Sequence, residues 1–235
     1  MIDFHSHILP NIDDGSRGME ETLNLIQEAK EVGFTQIIST SHYMEDYCEA
    51  NESERKEVLN YVQKQVNDIE LFLGSEIYIS NEMVSLLQEK EASTINHSRY
   101  VLFELPMNMK PFNGKEIVYR LIENGYIPII AHPERYHYVQ KDMEYVKELS
   151  EMGALFQSNY GSIVGWYGKD AEKTMKKLLK EDVIHFLGSD VHRVNHTYTI
   201  IPKALKKIRK IISEEKLEEL TTINAQKVLN DEEIE

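Results

Sequence analysis

Short apolar runs rich in Val, Ile, Phe and Tyr recur along the chain: IDF at 2–4, TQIIST at 35–40, ELFLGSEIYI at 70–79, YVLFEL at 100–105, YIPIIA at 126–131, ALFQS at 154–158 and VIHFLG at 183–188. Their shortness and β-branched content predict strands. Between them apolar residues return every three or four positions, as Leu23, Ile26 and Ala29 do within 19–32. The segments 52–68, 114–124, 142–151 and 168–180 share this period and predict helices that lay one face on a sheet. Steady alternation of strand and helix calls for right-handed crossovers and a parallel sheet. Seven such units close most economically into a barrel, or nearly so. No linker, low-complexity tract or break in composition interrupts the pattern, so residues 1–235 are expected to form a single domain.

Polar residues mark the ends of the predicted strands: His5 and His7, His42, Glu76, Glu104, His132, Gln157 with Asn159, then Asp190 and His192. Alternate residues of a strand share a face, so His5 and His7 look the same way. From His7 the steps to His42, Glu76, Glu104 and His132 are 35, 34, 28 and 28 residues, each one strand plus one helix, and 58 more reach Asp190. In α/β barrels the carboxyl ends of the strands carry the active site, so these side chains are expected to meet at one mouth.

Burying Glu76, Glu104 and Asp190 there without partners would cost several kcal/mol each, and a shared set of cations is the natural compensation. Imidazoles and carboxylates without a thiolate suit a catalytic Mn, Fe or Zn site with open positions better than a purely structural zinc. Counting the ligands leaves room for three ions. Of the other histidines, His97 and His185 read as packing or surface residues, while His137 and His196 lie near the expected mouth and are candidates for orienting ligands or moving protons.

The net charge of −14 argues against nucleic acid as a partner. No apolar run reaches the length of a membrane span, and Met1 leads straight into the first strand without a secretory leader, so a cytoplasmic location is expected. The single cysteine, Cys48, makes no internal disulfide, and Glu54 occupies the place where a cysteine phosphatase signature needs arginine. The stretch IPKALKKIRKII at 201–212 has Ile201, Leu205, Ile208 and Ile212 on one side and lysines elsewhere, which predicts a helix packed on the barrel rather than one that meets an anionic surface.

HSHILPNIDDGS, TSHY, SEI, FELP, AHPERY and GSDVH, in this order along nearly the whole chain, resemble the polymerase and histidinol phosphatase (PHP) superfamily. More narrowly, DDG after H-x-H and the A-H-P-E-R-Y block resemble its bacterial manganese-dependent protein-tyrosine phosphatases of capsule and exopolysaccharide operons. The resemblance implies a distorted (β/α)7 barrel and three divalent ions, manganese first and iron or zinc otherwise. By position it places His5, His7, Glu76 and Asp190 on one ion, Glu76, Glu104 and His132 on the second, and Asp14, His42 and His192 on the third. Asp13 is then an orienting neighbour or a turn residue before Gly15.

The resemblance also puts Arg135 on the substrate phosphate. The pattern departs at the second phosphate-side arginine, because position 197 is Thr and only Arg193 is near; either Arg193 substitutes on the phosphate or the clamp is weaker. The implied reaction is direct hydrolysis of a phosphomonoester with no phosphoenzyme, in which His196 or Asp14 assists the leaving group. The implied substrate is the phosphotyrosine tail of a partner bacterial tyrosine kinase, with any membrane association peripheral and through that kinase. A small-molecule phosphatase such as histidinol-phosphate phosphatase is the alternative on the same barrel.

Overall fold

The computed structural model describes residues 1–234. Its strands are β1 (Ile2–Ser6), β2 (Gln36–Ser39), β3 (His42–Tyr43), β4 (Glu70–Leu73), β5 (Glu76–Tyr78), β6 (Tyr100–Glu104), β7 (Ile127–Ala131), β8 (Leu155–Asn159) and β9 (Phe186–Gly188). All pair in parallel. Every predicted run carries strand. The run 70–79 breaks midway into β4 and β5, whereas the run 35–40 carries only β2 and β3 follows just beyond its end; the pieces pair in register, Ile37 with Leu71 and His42 with Glu76.

The ladders follow the chain from β1 through β2/β3, β4/β5, β6, β7 and β8 to β9. The last strand returns to the first, because Asp190 N donates to His5 O at 2.8 Å and His7 N to Val191 O at 3.0 Å. The result is the seven-unit barrel that the alternation predicts, joined at its carboxyl-terminal rim.

Helices cover the outside: α1 (Met19–Glu31), α2 (Glu52–Gln63), α3 (Met83–Gln88), α4 (Gly114–Glu123), α5 (His137–Lys141), α6 (Glu144–Glu151), α7 (Tyr160–Ile163), α8 (Lys169–Lys180), α9 (Thr197–Ile208), α10 (Glu214–Glu218) and α11 (Asn224–Leu229). The predicted helix 52–68 stops at Gln63, and the segment 142–151 starts at Glu144. The segment 201–212 falls largely in α9, whose Ile201, Ala204, Leu205 and Ile208 are buried against the barrel, so its apolar face is already covered.

Alternation along the strands produces two cores. Ile2, Phe4, Ile38, Tyr100, Leu102, Ile129 and Phe186 fill the barrel, with Phe4 and Phe186 stacked at 4.0 Å. Ala225, Val228 and Leu229 of α11 join this cluster, and Tyr100 OH donates to Glu232 O at 2.7 Å, so the amino-terminal end is plugged. Residues of opposite parity, such as Ile37, Val101, Phe103 and Ile130, pack outward against the helices. The filled interior leaves the polar side chains at the other end as the floor of an open mouth.

Candidate active site

His5 and His7 share the inner face at the end of β1, both fully buried, with Nε2 atoms 3.1 Å apart. His5 Nδ1 donates to Gln157 Oε1 and His7 Nδ1 to Asp13 Oδ2, each at 2.8 Å. These bonds fix the tautomers and leave both Nε2 lone pairs free for a cation. Glu76 Oε2 lies 3.0 Å from His5 Nε2 and 3.3 Å from His7 Nε2, and Asp190 Oδ1 lies 3.7 Å and 3.4 Å from the same atoms.

Glu76 reaches further. Its Oε1 is 2.8 Å from His132 Nε2 and its Oε2 is 3.2 Å from His42 Nδ1. Glu104 lies 3.7 Å from His42 and 3.8 Å from His132. On the outer side Asp14 Oδ1 is 3.3 Å from His192 Nε2 and 3.7 Å from His42 Nε2. Three overlapping groups have donor atoms close enough to hold an ion: His5, His7, Glu76 and Asp190; His42, Glu76 and Glu104; and His7, Asp14, His42 and His192. All nine side chains nominated as ligands therefore meet at one rim, with His132 beside the second group.

The electrostatics show a site short of positive charge. Burial and the neighbouring charges of Glu76 and Asp190 push the Glu104 carboxyl up to about 9, although Arg135 opposes them. Burial alone would raise the Glu76 carboxyl too, but His5, His42 and His132 hold it well below the usual range. Asp190 is likewise held down against its burial by His5, His7 and Arg135. A donor set of preoriented imidazoles and crowded carboxylates fits divalent cations. Backbone strain falls at the same place: His132 (φ 35°) and Asp190 (φ 52°) both take left-handed conformations at strand ends.

Beside the cluster opens a cleft of about 320 Å3 that Arg135, Trp166, Tyr167, Arg193 and His196 also line. Arg135 Nη1 donates to Asp190 Oδ2 at 2.7 Å, and its guanidinium lies 4.4 Å from the centre of the Tyr167 ring. It is thus held over the cluster rather than loose on the surface. Arg193 also faces the cleft, but its Nη1 donates to the carbonyls of Asp14, Gly15 and His192. Its head is spent largely on the turn that carries Asp14. His196 packs against Trp166, whereas His137 is exposed and lines a neighbouring cleft instead.

Residues 1–230 match the family described as capsular polysaccharide synthesis, CpsB/CapC. The chain belongs to this family. The tyrosine-protein phosphatase CpsB of Streptococcus agalactiae serotype V is 31% identical over 97% of this chain and 98% of its own. The tyrosine-protein phosphatase YwqE of Bacillus subtilis is 31% identical over 100% of this chain and 93% of its own. A chain from the crystal structures of YwqE from Bacillus subtilis and CpsB from Streptococcus pneumoniae, described as metal-dependent tyrosine phosphatases, superposes with a TM-score of 0.93 at 30% identity, covering 100% of this chain and 96% of that one. A histidinol phosphate phosphatase from Lactococcus lactis shares the fold alone, at a TM-score of 0.59 and 15% identity over 89% of this chain and 93% of its own.

In this CpsB/CapC family member several supporting residues escape sequence reasoning. Tyr167 gives no signal as a string, yet its ring seats Arg135 and its hydroxyl lies 3.4 Å from Asp190 Oδ2. Glu134 is fully buried and accepts from Ser158 Oγ (2.7 Å), Asn159 N (2.9 Å) and Ser162 Oγ (2.6 Å). That carboxylate ties the turn carrying His132 and Arg135 to the end of β8. Gln157 and Asn159, visible only as polar strand ends, form a relay in which Gln157 bonds His5 and Asn159 Nδ2 donates to Asp190 Oδ2 at 2.7 Å. Asp13, by contrast, is both the orienting neighbour and the turn residue expected before Gly15: it orients His7 and accepts from Gly15 N and His42 N.

Proposed function

We propose that this chain is a metal-dependent protein-tyrosine phosphatase that acts on the phosphotyrosine tail of a bacterial tyrosine kinase in capsule or exopolysaccharide synthesis. The observation that carries the reading is a cluster of imidazoles and carboxylates beside an oriented arginine, in a chain that matches the CpsB/CapC family along its length. The metal complement is three divalent ions, with manganese the first choice. His5, His7, Glu76 and Asp190 would hold one, Glu76, Glu104 and His132 the second, and Asp14, His42 and His192 the third. Bound there, such ions neutralise phosphoryl charge and bring the pKa of water toward neutrality.

The remaining work falls to protein groups. Arg135 offers a planar, permanently charged fork to the phosphate, and Tyr167 and Asp190 keep it from swinging away. Arg193 fixes the Asp14 turn and adds positive charge at the cleft wall. A phenolate, with a parent pKa of about 10, needs little protonation to leave, so His196 at the rim suffices as the assisting acid, while Asp14, held below the usual carboxylate range by His192, stays ionised and acts as a ligand. The protein needs no membrane anchor of its own in this scheme, since the kinase brings the substrate to it. Among the described residues no helix is long and apolar enough to cross a membrane.

Turnover of a phosphotyrosine peptide and of histidinol phosphate by the same manganese-loaded preparation tests the reading. A kcat/KM at least tenfold higher on the peptide is expected. The reverse order would move the chain to the small-molecule alternative.

A further inference from the structure

Trp166 is the chain's only tryptophan, and 43% of it is exposed on the wall of the cleft. A large apolar ring left nearly half in water beside a charged cluster gains little from burial, so core packing does not account for it. The loop that carries it is built. Gly165 (φ 82°) and Gly168 (φ 95°) take left-handed conformations on either side and turn the chain sharply between α7 and α8. The two residues between them divide the depth of the cleft. Tyr167 reaches inward to Arg135 and Asp190, while Trp166 stays at the rim and packs against the His196 imidazole at 4.1 Å between centroids and 86° between planes. Trp166 and Tyr167 are the Trp, Tyr or Phe side chains that line the cleft, and Tyr43, Tyr136 and Tyr160, each at or shortly after a strand end, are buried.

A phosphate on Arg135 and the cluster must project its ester group outward, past Tyr167 toward the rim. We propose that Trp166 is a specificity-determining residue whose indole receives the aryl ring of the phosphate ester, so that the cleft prefers aryl over alkyl phosphates. This inference rests on the phosphatase reading and adds to it the group that selects the leaving side of the substrate. An aromatic pair of this kind is worth roughly two- to tenfold in binding.

Competitive inhibition by phenylphosphonate and by methylphosphonate, measured on metal-loaded wild type, Trp166→Ala and Trp166→Phe, gives the phenyl-over-methyl preference of each. Trp166→Ala is expected to lower that preference roughly three- to tenfold, and Trp166→Phe to keep most of it. In the wild type the single tryptophan is its own reporter: saturating phenylphosphonate shifts its emission well beyond the change that methylphosphonate produces. An unaltered preference in Trp166→Ala, or equal emission changes with both ligands, overturns the inference and leaves the phosphatase reading standing. If neither phosphonate binds, the phosphatase reading falls and this inference goes with it.

Discussion

Arg135 sits between Asp190 Oδ2 and the face of Tyr167, an arrangement that sets the direction of its fork before any phosphate arrives. Its replacement by Ala should lower kcat/KM on a phosphotyrosine peptide about a hundredfold or more, and by Lys only somewhat less, because a point charge cannot reproduce the planar fork. Metal content measured on the same samples separates this loss from damage to the cluster. His185 shows the opposite use of an imidazole. Its Nδ1 accepts from Phe156 N at 3.2 Å, and burial with the nearby Lys216 charge pushes its pKa down to about 4. Unfolded, it protonates near 6.5. It therefore contributes stability that is complete above pH 6.5 and is lost as pH falls from there to about 4, roughly 3 kcal/mol in all. Denaturant melts of metal-free protein across this range should show the slope, and His185→Asn, which keeps an acceptor but cannot titrate, should flatten it.

At the scale of elements, the two interrupted strands bring the ligands into place. The break before Glu76 is pinned from outside by Arg55 of α2, a fully buried guanidinium that donates to Ser75 Oγ and to Glu91 O. Across the barrel, β9 can approach β1 only because position 188 lacks a side chain: a Cβ there would lie 2.5 Å from His5 Cβ and 2.9 Å from His5 N. Gly188→Ala should displace His5, cost about 1 to 3 kcal/mol of stability and reduce bound metal, as thermal melts and metal analysis of the purified variant would show. The strands were legible because each is a short apolar run between polar ends, and the ligands because they occupy those ends, as His132 does after YIPIIA. The break at 74–75 was not, since ELFLGSEIYI reads as one run, and β3 lies past the end of TQIIST, where Ser41 and His42 give no apolar alternation to announce a strand. Nor were α7, too short to display a helical period, and the π turn over Glu219–Ile223 between α10 and α11, which shifts that period. Glu134 and Tyr167 stayed hidden for a different reason. Their partners, Ser158, Ser162 and Asp190, are brought near only by the closed barrel.

For the molecule as a whole, the net charge of −14 is partly an expression of the mouth, where Asp14, Glu76, Glu104 and Asp190 crowd together. The interior cluster around Phe4 and Phe186 does not depend on those groups. Stripping metal with a chelator should therefore leave the helical circular-dichroism signal intact and lower the melting temperature by several degrees, since cations that bind only the folded state stabilise it by mass action. A melt that does not move would mean that the carboxylates are satisfied without ions. The most direct test of the central claim is a titration of metal-free protein with Mn2+ that follows bound metal per chain and phosphotyrosine turnover together. The account predicts no turnover at the start, a rise that tracks occupancy toward three ions, and no rise in Glu76→Gln, which removes the carboxylate shared between sites. Undiminished turnover by protein shown to be metal-free would contradict it.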